Sequence, residues 1–370
     1  MTIDLRSDFI SGPTPEMISA MVEAAERPAG FGPREDATVA ELERLAAATV
    51  GLSDALFCPT CTMANQIAIH IRCRPGEAFV SEAEAHVVTS ESAASAALSG
   101  AMPRLVPAVN GALDIAALAD ALPGADAQRP RVGLIVVENT HVRSGGKVIS
   151  LEHMLSMAEL ARSANVPIHL DGARLFNAAC ALGIEAKKLV ACADSVAFNL
   201  NKGLGAPLGA ILAGPADFIS EAVRLRQMFG GGWRPAGIPA AAGIVALEGM
   251  ICRLADDHTR ARILAGGLAK LNGIEVDPNS VDSNIVLIRP TKTAPEKLAT
   301  ALSDEGVLAL PFGPFLRLVT HHDFTDSDAD ATLTAFNTVL KEAARGVTDL
   351  ASISAGLSPT SPWWMIKQAH

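Results

Sequence analysis

Short apolar runs separated by longer amphipathic stretches set the rhythm of this chain. Residues 55–57, 78–81, 104–107, 133–137, 167–170, 195–200 and 208–213 each read as a brief strand, and most of them carry no charge. The segments between them, such as residues 151–164, place apolar side chains at helical spacing. Buried strands alternating with helices predict an α/β fold with a mostly parallel sheet covered on both faces. Two helices, over residues 16–26 and from 38 to about 51, precede the first strand. The loop Pro28-Ala29-Gly30-Phe31-Gly32-Pro33-Arg34 separates them. Residues 238–254 read as one long helix. The order then changes to helix 260–271, strand 284–288, helix 295–304, strand-like runs 307–310 and 316–320, and helix 326–344. The expected organisation is an arm (1–15), a large domain (16–245), a smaller α+β domain (246–345) and a loosely ordered tail (346–370) containing Trp363 and Trp364.

Composition narrows the classes. The chain has 370 residues, 49% of them hydrophobic, which is enough for two cores. Its formal charge of -10 and lack of a basic stripe argue against nucleic acid as a partner. There is no tyrosine, so a stacking surface is improbable, and catalytic proton transfer falls to His, Lys, Asp or Glu. No apolar run is long enough for a membrane span, and the first residues lack a signal core. A cytoplasmic location with no membrane partner is therefore expected. Cys58, Cys61, Cys73, Cys180, Cys192 and Cys252 read as reduced core residues. The spacing Cys58-Pro59-Thr60-Cys61 permits a redox dithiol. Its place between a strand and a helix start favours an anion-binding turn instead. A zinc site would want a second ligand pair, and no metal is expected.

Chemistry collects where strands end. Residues 194–201 run into Lys202, followed by Gly203, Gly205 and Pro207, which would allow close approach to a ligand. Val166-Pro167-Ile168-His169-Leu170 ends in Asp171. A lysine for a Schiff base and an acid for a pyridinium nitrogen are what pyridoxal phosphate requires of a protein. His86 and His141 each follow a strand and are candidate bases. Arg174 and Arg317 are candidate carboxylate grips, Arg317 lying within the apolar run Phe315-Leu316-Arg317-Leu318-Val319. Arg234, after three glycines, is placed to reach a phosphate of its own or a neighbouring subunit.

Taken together these motifs resemble the low-specificity L-threonine aldolases, pyridoxal-phosphate enzymes of the aspartate-aminotransferase-like fold (fold type I). The resemblance rests on Asp4-Leu5-Arg6-Ser7-Asp8, Pro13-Thr14-Pro15, Thr62-Met63-Ala64-Asn65-Gln66, Glu138-Asn139-Thr140-His141, the run from His169 to Asn177, Lys202-Gly203-Leu204-Gly205-Ala206-Pro207 and Arg317-Leu318-Val319-Thr320-His321. It implies that Lys202 holds the cofactor, Asp171 meets its ring nitrogen and His86 stacks on the ring. His86 or His141 would help deprotonate the substrate hydroxyl. Ser7, Arg174 and Arg317 would hold the substrate carboxylate. Cys61, Thr62, Asn201, Arg174 and Arg234 would complete the cofactor site. The implied reaction splits L-threonine or a related β-hydroxy-α-amino acid into glycine and an aldehyde, in a homodimer or homotetramer. β-Elimination, racemisation or transamination, or a non-catalytic binding role on the same fold, are the alternatives. Cys61 stands where the family has glycine, Asn201 where it has serine and Phe31 where it has tyrosine. Val142 replaces a polar residue, and these departures together point to a bulkier or rarer β-hydroxy amino acid as substrate.

Overall fold

The computed structural model describes residues 2–122 and 128–345, so the expected tail, with Trp363 and Trp364, lies outside the described residues. Strands form where the apolar runs are. Val132–Glu138 is buried along its whole length, and Ile168–Asp171, Ser195–Asn199 and Ala78–Ser81 are buried likewise. Their side chains have core on both faces, which is why they show continuous apolar runs rather than alternation. They assemble into a seven-stranded sheet in the order Asp54–Cys58, Ala210–Gly214, Ser195–Asn199, Ile168–Asp171, Val132–Glu138, Ala78–Ser81, Met102–Leu105. Pairing is parallel except around Ala210–Gly214, which runs antiparallel to both neighbours. The expected α/β class with a mostly parallel sheet is what the chain adopts.

Helices flank the sheet, and their ends carry local signals. Asp36 accepts from the amides of Thr38 and Val39 to open Ala37–Val50, and Gly51 closes it at φ 74°. The Thr60 hydroxyl accepts from Met63 N at the start of Cys61–Arg72. A second sheet of four strands, Ile274–Glu275, Ile285–Pro290, Phe315–Val319 and Leu310–Phe312, has its own core around Leu264, Leu298, Leu318 and Phe336.

Three expectations change. The N-terminal arm carries a strand that the sequence reading does not assign: Ile3–Asp4 pairs in parallel with Val307–Leu308, and Leu5 is fully buried. The long helix expected over 238–254 breaks. Gly237–Val245 passes into a wider turn at Ala246–Met250, and after a bend of 70° the chain resumes as Leu254–Leu268, not at 260. The apolar period continues across that bend, so periodicity alone does not reveal it. The strand expected at 104–107 is Met102–Leu105, an edge strand whose Met102 and Leu105 are half exposed, so no buried face marked its limits. No single helix among the described residues is long and apolar enough to cross a membrane.

Two glycines with positive φ separate backbone strain from packing. Gly209 (φ 111°) lies against Phe57, and a Cβ there would overlap that buried ring. Gly76 (φ 87°) faces open space. Gly209→Ala should therefore cost about 2–4 kcal/mol and Gly76→Ala about 1 kcal/mol. Denaturant unfolding of the two variants measures this, and equal losses would contradict the packing account.

Candidate active site

Parallel registration places the chemistry. Glu138 pairs across from Asp171, and Asp171 from Ala197, so the ends of three central strands stand side by side. Lys202 follows the third strand, and His86 follows Ala78–Ser81 on the far side of Val132–Glu138. A cavity of about 180 Å³ opens at this edge, with Lys202, Asp171, His86, Arg174 and Arg317 on its wall. A larger cavity of about 610 Å³ lies at the opposite ends of the strands, among Arg72, Arg131 and Arg162, and holds none of these groups. The crevice outside the carboxyl ends of the strands is where open α/β sheets bind ligands.

A buried polar network holds Asp171. Asn65, on Cys61–Arg72, donates its amide to Asp171 Oδ2 at 2.8 Å and to Glu91 Oε1 at 3.0 Å. Its carbonyl oxygen meets His169 Nε2 at 3.1 Å, and His169 Nδ1 meets Ser195 Oγ at 2.9 Å. Burial pushes His169 down to about 4, so the ring is neutral and serves the network as donor and acceptor. Glu91 also accepts from Gln66 Nε2 at 2.7 Å and sits 2.8 Å from His86 Nδ1. That contact puts the ring proton on Nδ1 and leaves Nε2 as the basic nitrogen. Burial works to lower His86, but the bond to Glu91 and the charge of Asp171 outweigh it and hold the ring above its ordinary value. Burial, with Asp171 alongside, raises Glu138, whose carboxylate accepts from His86 N and Val142 N.

Lys202 Nζ has no hydrogen-bond partner among the described residues, and burial followed by the charge of Arg174 lowers its amine below the ordinary lysine value. Gly203 and Gly205 do not open space for a ligand as expected. A Cβ at Gly203 would press on Leu254, and one at Gly205 on His322, so these glycines let the Lys202 turn pack against the neighbouring elements.

The arginines divide. Arg174 gives one edge of its guanidinium to Asp8, Nε and Nη2 at 2.8 and 2.7 Å, while the residue also lines the cavity. Burial would raise Asp8, but Arg174 holds it well below the usual carboxylate range. Arg317 gives one Nη2 hydrogen to Arg6 O at 3.0 Å, while its Nε has no partner. Burial, then the nearby Arg174, pushes Arg317 down to about 10.

Other expected residues sit as follows. His141 is buried off the cavity wall, with Nε2 at 3.0 Å from Glu82 and Nδ1 at 2.8 Å from Ser144. Both nitrogens are therefore engaged within the loop and with Glu82. Ser7 is buried beside Asp8, and its hydroxyl lies 3.4 Å from that carboxylate. Cys61 lines the cavity, with Sγ 3.9 Å from Asp171 Oδ1. Thr62 follows it in the first helical turn, where Cys61 N and Thr62 N have no intrahelical acceptor. Asn201 accepts from Asn199, and Arg234 donates to Phe31 O in a separate cleft beside Gly32 and Trp233. Burial pushes Cys58 up to about 12 and Cys61 well above the ordinary thiol value, so neither is an activated thiol. Cys252 is exposed rather than a core residue. Asn65, Glu91, Glu138, Asp8 and Arg143 were missed as site residues. Asn65, Asp8 and Glu138 lie inside the recognised motifs, but no local pattern marks Glu91 or Arg143.

Comparison with known proteins shows the family. Residues 4–291 match the beta-eliminating lyase family. The chain is 36% identical to a probable low-specificity L-threonine aldolase of Arabidopsis thaliana over 347 residues, 91% of this chain and 97% of that protein. It is also 36% identical to the low specificity L-threonine aldolase of Escherichia coli K12, over 87% of this chain and 94% of that one. In fold it is similar to a threonine aldolase of Leishmania major, with TM-score 0.77 and 20% identity over 94% of this chain and 100% of that one. A putative L-allo-threonine aldolase from Listeria monocytogenes gives TM-score 0.75 and 21% identity over 91% and 96%.

The His86–Glu91 contact is open to test. A ring held above its ordinary value stabilises the fold fully below about pH 6.5, and that stabilisation fades as pH rises through the folded value. In Glu91→Gln the His86 resonance should titrate at lower pH than in the parent protein, as followed by NMR on cofactor-free protein. An unmoved titration would mean that Glu91 does not set the ring's charge.

Proposed function

The chain belongs to the beta-eliminating lyase family, and from that premise we propose that it is a pyridoxal-phosphate-dependent aldehyde-lyase cleaving L-threonine, L-allo-threonine or a related β-hydroxy-α-amino acid to glycine and an aldehyde. The observation that carries this reading is the meeting of Lys202, Asp171, His86 and Arg317 on one cavity wall. The residues suit the cofactor on their own chemistry: an unpartnered amine with a lowered pKa, a buried carboxylate fixed by Asn65, and two free amides at a helix start suited to a phosphate. When bound, pyridoxal phosphate supplies a carbonyl that condenses with amines and a ring that accepts the electron pair of a bond broken at Cα.

The chain's own residues set up the rest. Lys202 would hold the cofactor covalently, and Asp171 would meet its ring nitrogen with Asn65 fixing the carboxylate's position. Arg317, with Nε unpartnered, offers a charged fork to the substrate α-carboxylate. That contact would orient the Cα–Cβ bond. His86 Nε2 would take the β-hydroxyl proton as the bond opens, while Glu91 steadies the resulting imidazolium through Nδ1. We also propose the division into an arm, a large cofactor domain and a small domain, and a cytoplasmic homodimer or homotetramer. Two features favour shared sites: Phe31 is 91% exposed beside the Arg234 cleft, and Arg234 lies away from Lys202. Sedimentation showing a fully active monomer would refute the shared site.

Two variants test the assignment. Lys202→Ala should abolish aldehyde release from L-threonine and leave no borohydride-fixed cofactor on the chain by mass spectrometry. Arg317→Lys should keep the fixed cofactor and raise KM roughly tenfold, because an ammonium loses the bidentate fork. Ammonia and pyruvate as the sole products would indicate β-elimination instead.

A further inference from the structure

The segment after Val132–Glu138 is held unusually firmly for a loop. His141 N donates to Lys147 O at 2.9 Å, and Gly146 N returns to His141 O at 2.9 Å. Val142 N donates to Glu138 Oε1 at 2.8 Å, Ser283 Oγ to Gly146 O at 2.8 Å, and Lys147 Nζ to Asp282 at 3.0 Å. Gly145 and Gly146 have φ of 80° and 72°, and side chains there would run into Leu287, Ser283 and Ile285. With both ring nitrogens of His141 engaged, the loop is a rigid projection. What the segment presents on the cavity wall is Thr140, Val142 and Arg143.

Arg143 makes no hydrogen bond or ion pair with any described residue; its one specific contact is with Phe312, whose ring centre lies 4.7 Å from its guanidinium carbon. The guanidinium carbon of Arg317 lies 5.1 Å from the same ring centre. Two cations thus share one aromatic ring, and Phe312 lies on the cavity wall with both. Their mutual repulsion is part of what lowers Arg317. Arg174, the third guanidinium nearby, is already neutralised by Asp8. One substrate α-carboxylate satisfies Arg317 and leaves Arg143 with an unmatched charge. A short amino dicarboxylate would supply one carboxylate to each.

We propose that Arg143 binds an anionic group on the substrate's β-substituent, so that this chain prefers β-hydroxy-α-amino dicarboxylates over threonine. The proposal rests on the retro-aldol reading above. For 3-hydroxyaspartate the Cα–Cβ bond breaks, the β-hydroxyl proton leaves to the base and Cα gains a proton. The products are glycine and glyoxylate, with no oxidant or reductant needed. Val142 fits the same picture, since it adds an apolar surface to the wall next to Arg143.

The test uses the cofactor-loaded enzyme and the ratio of kcat/KM for 3-hydroxy-L-aspartate to that for L-threonine. The ratio should exceed one in the parent, fall at least tenfold in Arg143→Leu and fall less in Arg143→Lys, which keeps charge without the fork. Calorimetry supplies a readout that needs no turnover. L-Aspartate should bind more tightly than L-2-aminobutyrate, which differs in ending with a methyl group, and Arg143→Leu should erase that preference. Equal losses on both substrates would mean that Arg143 shares the α-carboxylate with Arg317, and would overturn the proposal. So would an unchanged ratio, or equal affinity for the two ligands in the parent protein. If the parent cleaves neither substrate the retro-aldol reading fails, and the calorimetric preference alone decides the role of Arg143.

Discussion

The buried ion pair between Asp8 and Arg174 is the contact on which the site's geometry depends. Asp8 belongs to the N-terminal arm, Arg174 follows the central strand Ile168–Asp171, and Asn284, just before Ile285–Pro290, donates to the same carboxylate at 3.1 Å. One carboxylate therefore joins the arm and the two sheets. Leu5 O accepts from Val319 N, Arg6 O from Arg317, and Asp4 O lies 2.8 Å from His321 Nε2, so the arm threads along the second sheet. A pair this deep gains little over an apolar contact, but removing one partner strands a charge and costs several kcal/mol. That penalty holds Arg317 at a set place relative to Lys202.

The polar groups of the first sheet follow a similar logic. Two carboxylates, Glu138 and Asp171, stand in register, which is unfavourable unless each is supplied with donors. Glu138 receives two backbone amides, and Asp171 receives Asn65 and Ala173 N. Glu91 gathers Asn65, Gln66 and His86. A network with these donors in place is rigid, and rigidity is what lets charges act on a reacting group without reorganising. Lys202 stands outside it, and an amine relieved of partners and partly desolvated is the more nucleophilic for that.

A fold of this kind can host many chemistries, and the site decides among them. Here the arginines differ in availability: Arg174 shares one edge with Asp8, Arg317 gives one hydrogen to Arg6 O, and Arg143 is free of any described polar partner. Substrate choice is accordingly expected to lie at the loop and at Phe312, near the second sheet.

Sequence alone determined what depends on neighbours along the chain. Continuous apolar runs marked the buried strands, and residues just past them, Lys202, Asp171 and His86, had to gather at one edge once the strands were parallel. Arg317 was legible because a charge inside an apolar strand must find an anion. What only the tertiary structure decided depends on contacts between distant residues. Asp8 claims Arg174 across 166 positions, and Asn65 claims Asp171 across 106. His141 finds its carboxylate partner Glu82 across 59 positions. Glu91 and Arg143 carry no local signature, since a glutamate after a short helix and an arginine in a loop are ordinarily solvated. Hydrophobic periodicity reports which face of an element is buried, not which element lies against it, and the partner of a buried charge is set by that second fact.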